Sequence, residues 1–210
     1  WPKAVDTQTY HPRKASPSMR ERLTAGHPEA PLLTYIGRIS KEKDLERLDN
    51  VIRLVRGQAP DARLAIIGAG PYLDALKATF DPEMTVFTGY LSGEELAQAF
   101  ASGDVFLFPS ATETLGLVAL ESFASGVPVI GTNAGGIPFV IEEGVTGHLI
   151  DPDAPDEAWA GAALGLIEDS SRRAAMGQAA RAEAEQYSWL ESTKALVAAY
   201  EEATANPYHR

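Results

Sequence analysis

The sequence contains no cysteine. Disulfides and thiolate metal sites are therefore excluded, and the absence is compatible with a reducing compartment. Histidine is scarce. His11, His27, His148 and His209 each lack a partner at metal-ligand spacing, so they read as surface or turn residues. No stretch of about 18 apolar residues exists, which excludes a membrane-spanning helix. Basic residues are in deficit: 18 Lys+Arg stand against 29 Asp+Glu, a formal net charge of −11. Nucleic acid is an unfavourable partner on that balance, and any site for an anionic ligand must be built locally. Neither Gly-x-Ser-x-Gly nor His-Glu-x-x-His occurs. The chain does not open with Met and shows no signal-peptide pattern, so it is expected to be a piece of a longer protein.

What the sequence does contain is alternation. Its 210 residues are 45% hydrophobic, enough for one α/β domain with extra helices. Residues 1–30 are rich in breakers and read as an interdomain linker plus a leading helix, with Val5 and Tyr10 as anchors, Ser18 as the helix cap and Glu21 three residues later. Six short apolar runs follow, near 32–37, 63–68, 85–88, 105–108, 127–130 and 147–150. Helical periods separate them, at 44–56, 71–80, 92–101 and from about 114 to 124. Ala-rich helices are expected at 156–169, 171–186 and 188–204. This spacing predicts parallel βαβ units, a doubly wound Rossmann-like domain of about six strands with C-terminal helices. The domain proper is expected over 31–169, with further helices over 170–210.

In such a sheet, ligands bind beyond the carboxyl ends of the strands, near the point where strand order reverses. Three loops there carry candidate chemistry. Residues 37–43 hold Arg38, Lys41 and Lys43, a forked guanidinium with point charges beside it, suited to a diphosphate. Residues 68–71 read Gly-Ala-Gly-Pro, a tight turn that lets a ligand or a loop come close; Leu73 stands where a dinucleotide fingerprint needs its third glycine. Residues 110–121 place Glu113 in a loop and Glu121 about two turns into a helix, with Thr114, Leu115, Gly116 and Leu117 between them at a phosphate-attracting helix start. Two carboxylates flanking such a start suit a molecule with hydroxyls at both ends and phosphate between. Spacing alone leaves open that Glu113 caps the helix and Glu121 is a solvated acid. Residues 133–138 could offer further N–H groups or be a simple turn, Tyr90 and Leu91 could pack on a base or on the rim, and Asp104, before a strand, suits a structural role.

Taken together, these pieces resemble the C-terminal, donor-binding half of the retaining, two-domain (GT-B type) glycosyltransferases that include sucrose-phosphate synthase and the phosphatidylinositol mannosyltransferases. The segments that carry the resemblance run in order: Val5-Asp6 with Tyr10, Gly37-Arg38 with Glu42-Lys43, the Gly68 turn, Ala101-Ser-Gly-Asp104, Glu113-x7-Glu121, Ala124-Ser-Gly-Val-Pro128 and Gly135-Gly-Ile-Pro138. Within the family the chain is similar to the UDP-sulfoquinovose:diacylglycerol transferases, through Val86-Phe-Thr-Gly89, Gly93-Glu-Glu-Leu96 and Glu113-Thr-Leu-Gly-Leu-Val118.

The resemblance implies roles. Arg38 and Lys43 would neutralise the donor diphosphate, and Glu113 would hold the donor sugar's hydroxyls; these three are the expected catalytic residues. Glu121 would bind the ribose, with Thr114, Leu115, Gly116, Leu117, Gly68, Tyr90 and Leu91 around the donor. The donor would be a UDP-sugar, with no cofactor or metal required. The acceptor would be a lipid or sugar, residues 170–210 would pack back toward a missing N-terminal domain, and the expected location is the cytoplasm, peripheral at the membrane through that domain. Alternatives are a lipid-directed mannosyl- or glucosyltransferase, a UDP-sugar 2-epimerase-like enzyme and a non-catalytic interaction domain. Two positions depart from the family pattern: Ala4 replaces a glycine before Val-Asp, and Phe139 stands where an acid is usual.

Overall fold

The six apolar runs become six strands of one parallel sheet in the computed structural model, which describes residues 4–187 and 189–205. Ser188, expected to open the last helix, and His209 lie outside the described residues. The strands are β1 (Leu32–Ile36), β2 (Arg63–Ile67), β3 (Thr85–Gly89), β4 (Val105–Phe108), β5 (Val129–Thr132) and β6 (Gly147–Ile150), in the spatial order β3-β2-β1-β4-β5-β6. β1, β2, β4 and β5 are buried at every residue, because helices cover both faces of the sheet. The order reverses between β1 and β4, whose Leu33 and Thr34 pair with Val105 and Phe106. The loops after β1 and β4 therefore leave the sheet side by side at the switch point, where such folds bind ligands.

The helices are α1 (Pro17–Leu23), α2 (Arg47–Arg56), α3 (Leu73–Lys77), α4 (Gly93–Ser102), α5 (Leu117–Ala124), α6 (Asp156–Glu168), α7 (Ser170–Gln186) and α8 (Trp189–Ala205). Four local expectations need correction. Ser16, not Ser18, caps α1: its hydroxyl accepts the Met19 N–H and Pro17 fills the first helical position. The helix expected from residue 44 starts at Arg47, because Lys41–Lys43 form a 3-10 turn closed by Asp44 in the left-handed region (φ 53°). The helix expected over 71–80 is reduced to α3; beyond Lys77 the chain ends in a turn in which the Thr79 N–H, the Thr79 hydroxyl and the Phe80 N–H all converge on Leu76 O. α5 begins at Leu117, so Glu121 lies just over one turn into the helix rather than two.

α2 packs on α6 and α5 on α7. α1 lies against α4, and Val5, Met19 and Leu23 join the buried core. Residues 5–30 are thus tied to the body of the domain rather than trailing from it. α8 leaves Trp189, Leu190, Val197 and Tyr200 exposed. Among the described residues no helix is long and apolar enough to cross a membrane.

Candidate functional site

The site is built where β1 and β2 end. Past Ile36 the chain keeps pairing: Gly37 N–H donates to Ile67 O and Ile39 N–H to Ala69 O. This extended contact brings two backbones so close that side chains do not fit between them. A Cβ on Gly68 would lie 1.8 Å from Gly37 O, and one on Gly70 would lie 2.0 Å from Ile39 O. The Gly-x-Gly of this turn therefore admits the loop that carries Arg38. The buried Tyr35 hydroxyl donates to Arg38 O at 2.8 Å and pins the same loop from below.

On the other side of the switch point, the loop after β4 is held by residues 135–136. Gly136 N–H donates to Glu113 O at 2.6 Å, and a Cβ on Gly136 would lie 2.1 Å from Thr114 O. This N–H of the 133–138 loop is spent on buttressing the Glu113 loop. Lys43 reaches across from the β1 side: its Nζ lies 3.2 Å from Glu113 Oε2, and both side chains are about four-fifths buried (18% and 21% exposed). Glu42, beside Lys43, accepts the Ser40 hydroxyl at 2.6 Å, which holds its carboxyl below the usual range.

Two cavities open above these loops. The first, about 300 Å³, is lined by the ends of β1 and β2, by Gly68, Tyr90 and Leu91, by Phe100 of α4, and by Val118 and Glu121 of α5. The second, about 500 Å³, is lined by Tyr35, Glu42, Lys43, Phe108, Thr112 and Glu113. Ile36, Gly37, Arg38 and Val118 line both. The cavities are therefore adjoining compartments with Arg38 at their junction. One compartment is mostly apolar with a single acid at its wall; the other sets Glu42, Lys43 and Glu113 against apolar walls of Ile36, Phe108 and Val118.

Glu121 is the carboxyl of the site that its surroundings perturb most. Burial pushes its carboxyl up to about 7, while a hydrogen bond from the Tyr10 hydroxyl pulls the other way. Tyr10 was expected as an anchor of the leading segment and as part of the Val5-Asp6 segment that carries the resemblance, not as a residue of the site. The sequence signal for its contact is its place after Val5-Asp6, and nothing local links it to residue 121. Tyr35 and Phe100 also belong to the site and were not singled out by sequence.

The structure brings together Arg38, Lys43, Glu113, Glu121, Gly68, Tyr90 and Leu91. Tyr90 is exposed at the mouth and Leu91 is buried. Thr114, Leu115, Gly116 and Leu117 line neither cavity; Thr114, Leu115 and Leu117 are exposed. Phe139, which replaces the usual acid, is exposed at the end of the 3-10 turn Ile137–Phe139. Among the described residues no group of three or more His, Asp or Glu is placed to hold a metal ion.

A family model described as glycosyl transferases group 1 matches residues 21–183. The chain is 46% identical over 196 residues to the sulfoquinovosyl transferase SQD2 of Arabidopsis thaliana, covering 92% of this chain and 38% of that protein. It is 36% identical over 192 residues to a GDP-mannose-dependent alpha-(1-6)-phosphatidylinositol monomannoside mannosyltransferase of Mycolicibacterium smegmatis, covering 86% of this chain and 50% of that one. The chain thus spans half or less of the length of these relatives. Among solved structures, Anabaena HepE in complex with UDP superposes with a TM-score of 0.81 at 22% identity, over 95% of this chain and 56% of that one, a likeness of fold.

Proposed function

Because this chain belongs to the family of glycosyl transferases group 1, we propose that it is the donor-binding half of a retaining two-domain glycosyltransferase that uses a UDP-sugar, with sulfoquinovose transferred to diacylglycerol as the reaction. The observation that carries this reading is the pair of adjoining compartments with Arg38 at their junction. A nucleotide sugar has a nucleoside at one end, a hydroxylated ring at the other and a diphosphate between. The apolar compartment takes the nucleoside, with Glu121 accepting the ribose hydroxyls. The charged compartment takes the sugar, with Glu113 accepting from its hydroxyls. Arg38 and Lys43 meet the diphosphate between them. The choice of sulfoquinovose and diacylglycerol leans on the likeness to SQD2.

In the ligand-free site Lys43 and Glu113 neutralise one another. When the donor arrives, Lys43 turns to phosphate and Glu113 to sugar hydroxyls, so each side chain exchanges one polar partner for another. In the transfer step the bond from the anomeric carbon to the diphosphate oxygen breaks and a bond to the acceptor oxygen forms on the same face. The acceptor's proton passes to the departing diphosphate. Arg38 and Lys43 supply fixed positive potential where that negative charge develops. The acceptor approaches from a further domain, and the apolar face of α8 (Trp189, Leu190, Val197, Tyr200) is where we place its contact.

Thermal-shift and calorimetric titration of the chain with UDP, GDP and ADP and their sugars tests the reading. UDP is expected to raise the melting temperature most, and the chain alone is expected to transfer no sugar. Arg38→Ala and Glu121→Ala are each expected to weaken UDP binding by about tenfold or more while leaving the domain folded. Wild-type affinity in both variants overturns the site assignment, and a preference for GDP moves the donor toward the class named for the mannosyltransferase relative.

A further inference from the structure

The loop that carries Arg38 is gripped on both sides of that residue. Gly37 N–H donates to Ile67 O at 2.9 Å, Ile39 N–H to Ala69 O at 3.0 Å, and Tyr72 N–H to Ile39 O at 3.2 Å. These bonds fasten the two neighbours of Arg38 to β2 and the turn after it. The carbonyl of Arg38 itself has a side-chain partner, the Tyr35 hydroxyl, which donates to it at 2.8 Å.

Tyr35 is a firm point from which to hold a loop. It is only 1% exposed, and its backbone is in register with Ile66 of β2. Its ring stacks on Phe106 of β4, the neighbouring strand across the switch point, with centroids 6.4 Å apart and planes at 14°. The same side chain lines the floor of the charged compartment. Gly37 leaves room for it: a Cβ there would lie 3.0 Å from the Tyr35 hydroxyl oxygen and 3.4 Å from its Cζ. Phenol, glycine and the Arg38 carbonyl therefore interlock. A phenylalanine would fill the same core space, whereas a buried hydroxyl costs free energy unless it is paired. Burial, with the charges of Glu113 and Glu42 nearby, pushes the phenol pKa up, so the group stays a protonated donor.

We propose that Tyr35 is a positioning residue of the donor site: its hydroxyl fixes the backbone of Arg38 and so sets where the guanidinium stands at the junction of the two compartments. This rests on the donor-site reading above and adds to it a residue that acts through another. Arg38 lines both compartments. A guanidinium grips phosphate through forked, directed bonds that tolerate little displacement. A long side chain is aimed no better than the backbone it starts from. The hydroxyl therefore acts on the diphosphate contact and not on the nucleoside contact.

Tyr35→Phe keeps the ring on Phe106 and removes only the hydroxyl. Calorimetry is expected to show UDP affinity lower by about fivefold, the scale of one neutral hydrogen bond. Uridine, which lacks the diphosphate, is expected to bind the variant as it binds wild type. In an Arg38→Ala background the same substitution is expected to cost UDP nothing further, because its effect runs through that guanidinium. A general loosening of the fold would instead weaken both ligands together and act equally in both backgrounds. The controls separate two failures. Three results overturn the positioning role and leave the donor site standing: UDP and uridine weakening in parallel, an equal cost with and without Arg38, or wild-type UDP affinity in Tyr35→Phe while Arg38→Ala and Glu121→Ala lower it. If the wild-type chain does not bind UDP, or neither control weakens it, the donor-site reading falls and this proposal with it.

Discussion

Glu121 carries the clearest conflict between folding and ligand binding. Its carboxyl lines a mostly apolar compartment, where the proposed donor site uses it as an acceptor. Burial there raises it from an ordinary 4.5 to about 7. The sign of the consequence follows from proton counts. Between these two values the folded protein holds a proton that the unfolded chain has released, so stability falls as pH rises through that window and levels off above it. The cost at pH 8 is on the order of 3 kcal/mol. Glu121→Gln removes the ionisation but keeps the shape. Urea unfolding is expected to find the variant more stable than wild type at pH 8, with the advantage gone near pH 4.5. A difference between the two proteins that does not vary with pH would reject a buried, titrating carboxyl. That an acid stood at 121 was legible in sequence, since its spacing from Glu113 is local. Its burial was not, because the hydrophobic wall comes from Phe100, Tyr90 and Leu91, which belong to other elements.

At the scale of elements, strand–loop–strand contact decides the site. The turn after β2 has no Cβ at two positions, so the loop after β1 can lie directly on it. Gly68 is also at φ 148°, where a side chain is strained whatever the space. Gly68→Ala must therefore push Gly37 O away and move Arg38 and Ile39 with it. A stability loss of about 2–4 kcal/mol is expected by chemical denaturation, the range for overpacking combined with backbone strain. UDP affinity is expected to fall in the same variant, because the guanidinium leaves the junction of the compartments. Unchanged affinity in a destabilised variant would separate the turn from the site. The sequence announced this turn as a close approach without saying what approached. It also placed all six strands, since an apolar run between breakers is a local property. Helix boundaries were less legible. Asp44 in the left-handed region and the Thr79 hydroxyl on Leu76 O are decided by side-chain and backbone detail that periodicity does not carry.

Over the whole molecule, long-range polar contacts hold the leading segment to the sheet, and these were the least legible from sequence. Arg20 of α1 donates to Pro28 O, Ala30 O and Ser102 O, and its guanidinium pairs with Asp104 at 2.7 Å. The same Asp104 oxygen accepts Leu32 N–H at 2.8 Å, and its other oxygen faces Arg173 of α7 at 3.8 Å. One carboxylate therefore joins α1, the start of β1, the start of β4 and α7. Both Arg20 and Asp104 are about four-fifths buried (19% and 20% exposed), so removing one partner strands the other in a poorly solvated place. Asp104→Ala is expected to lower the unfolding free energy by about 3 kcal/mol. Asp104→Asn, which can still accept Leu32 N–H, is expected to lose less. Salt should recover little of either loss, because the pair is shielded from counterions. Residues 17–32 should exchange their amides faster in Asp104→Ala, since α1 loses its hold on the sheet. UDP affinity is expected to stay within about twofold of wild type, because Asp104 lines neither compartment and each site contact is worth more than that. A variant that keeps wild-type stability yet loses the nucleotide would move Asp104 from the frame of the molecule into its site.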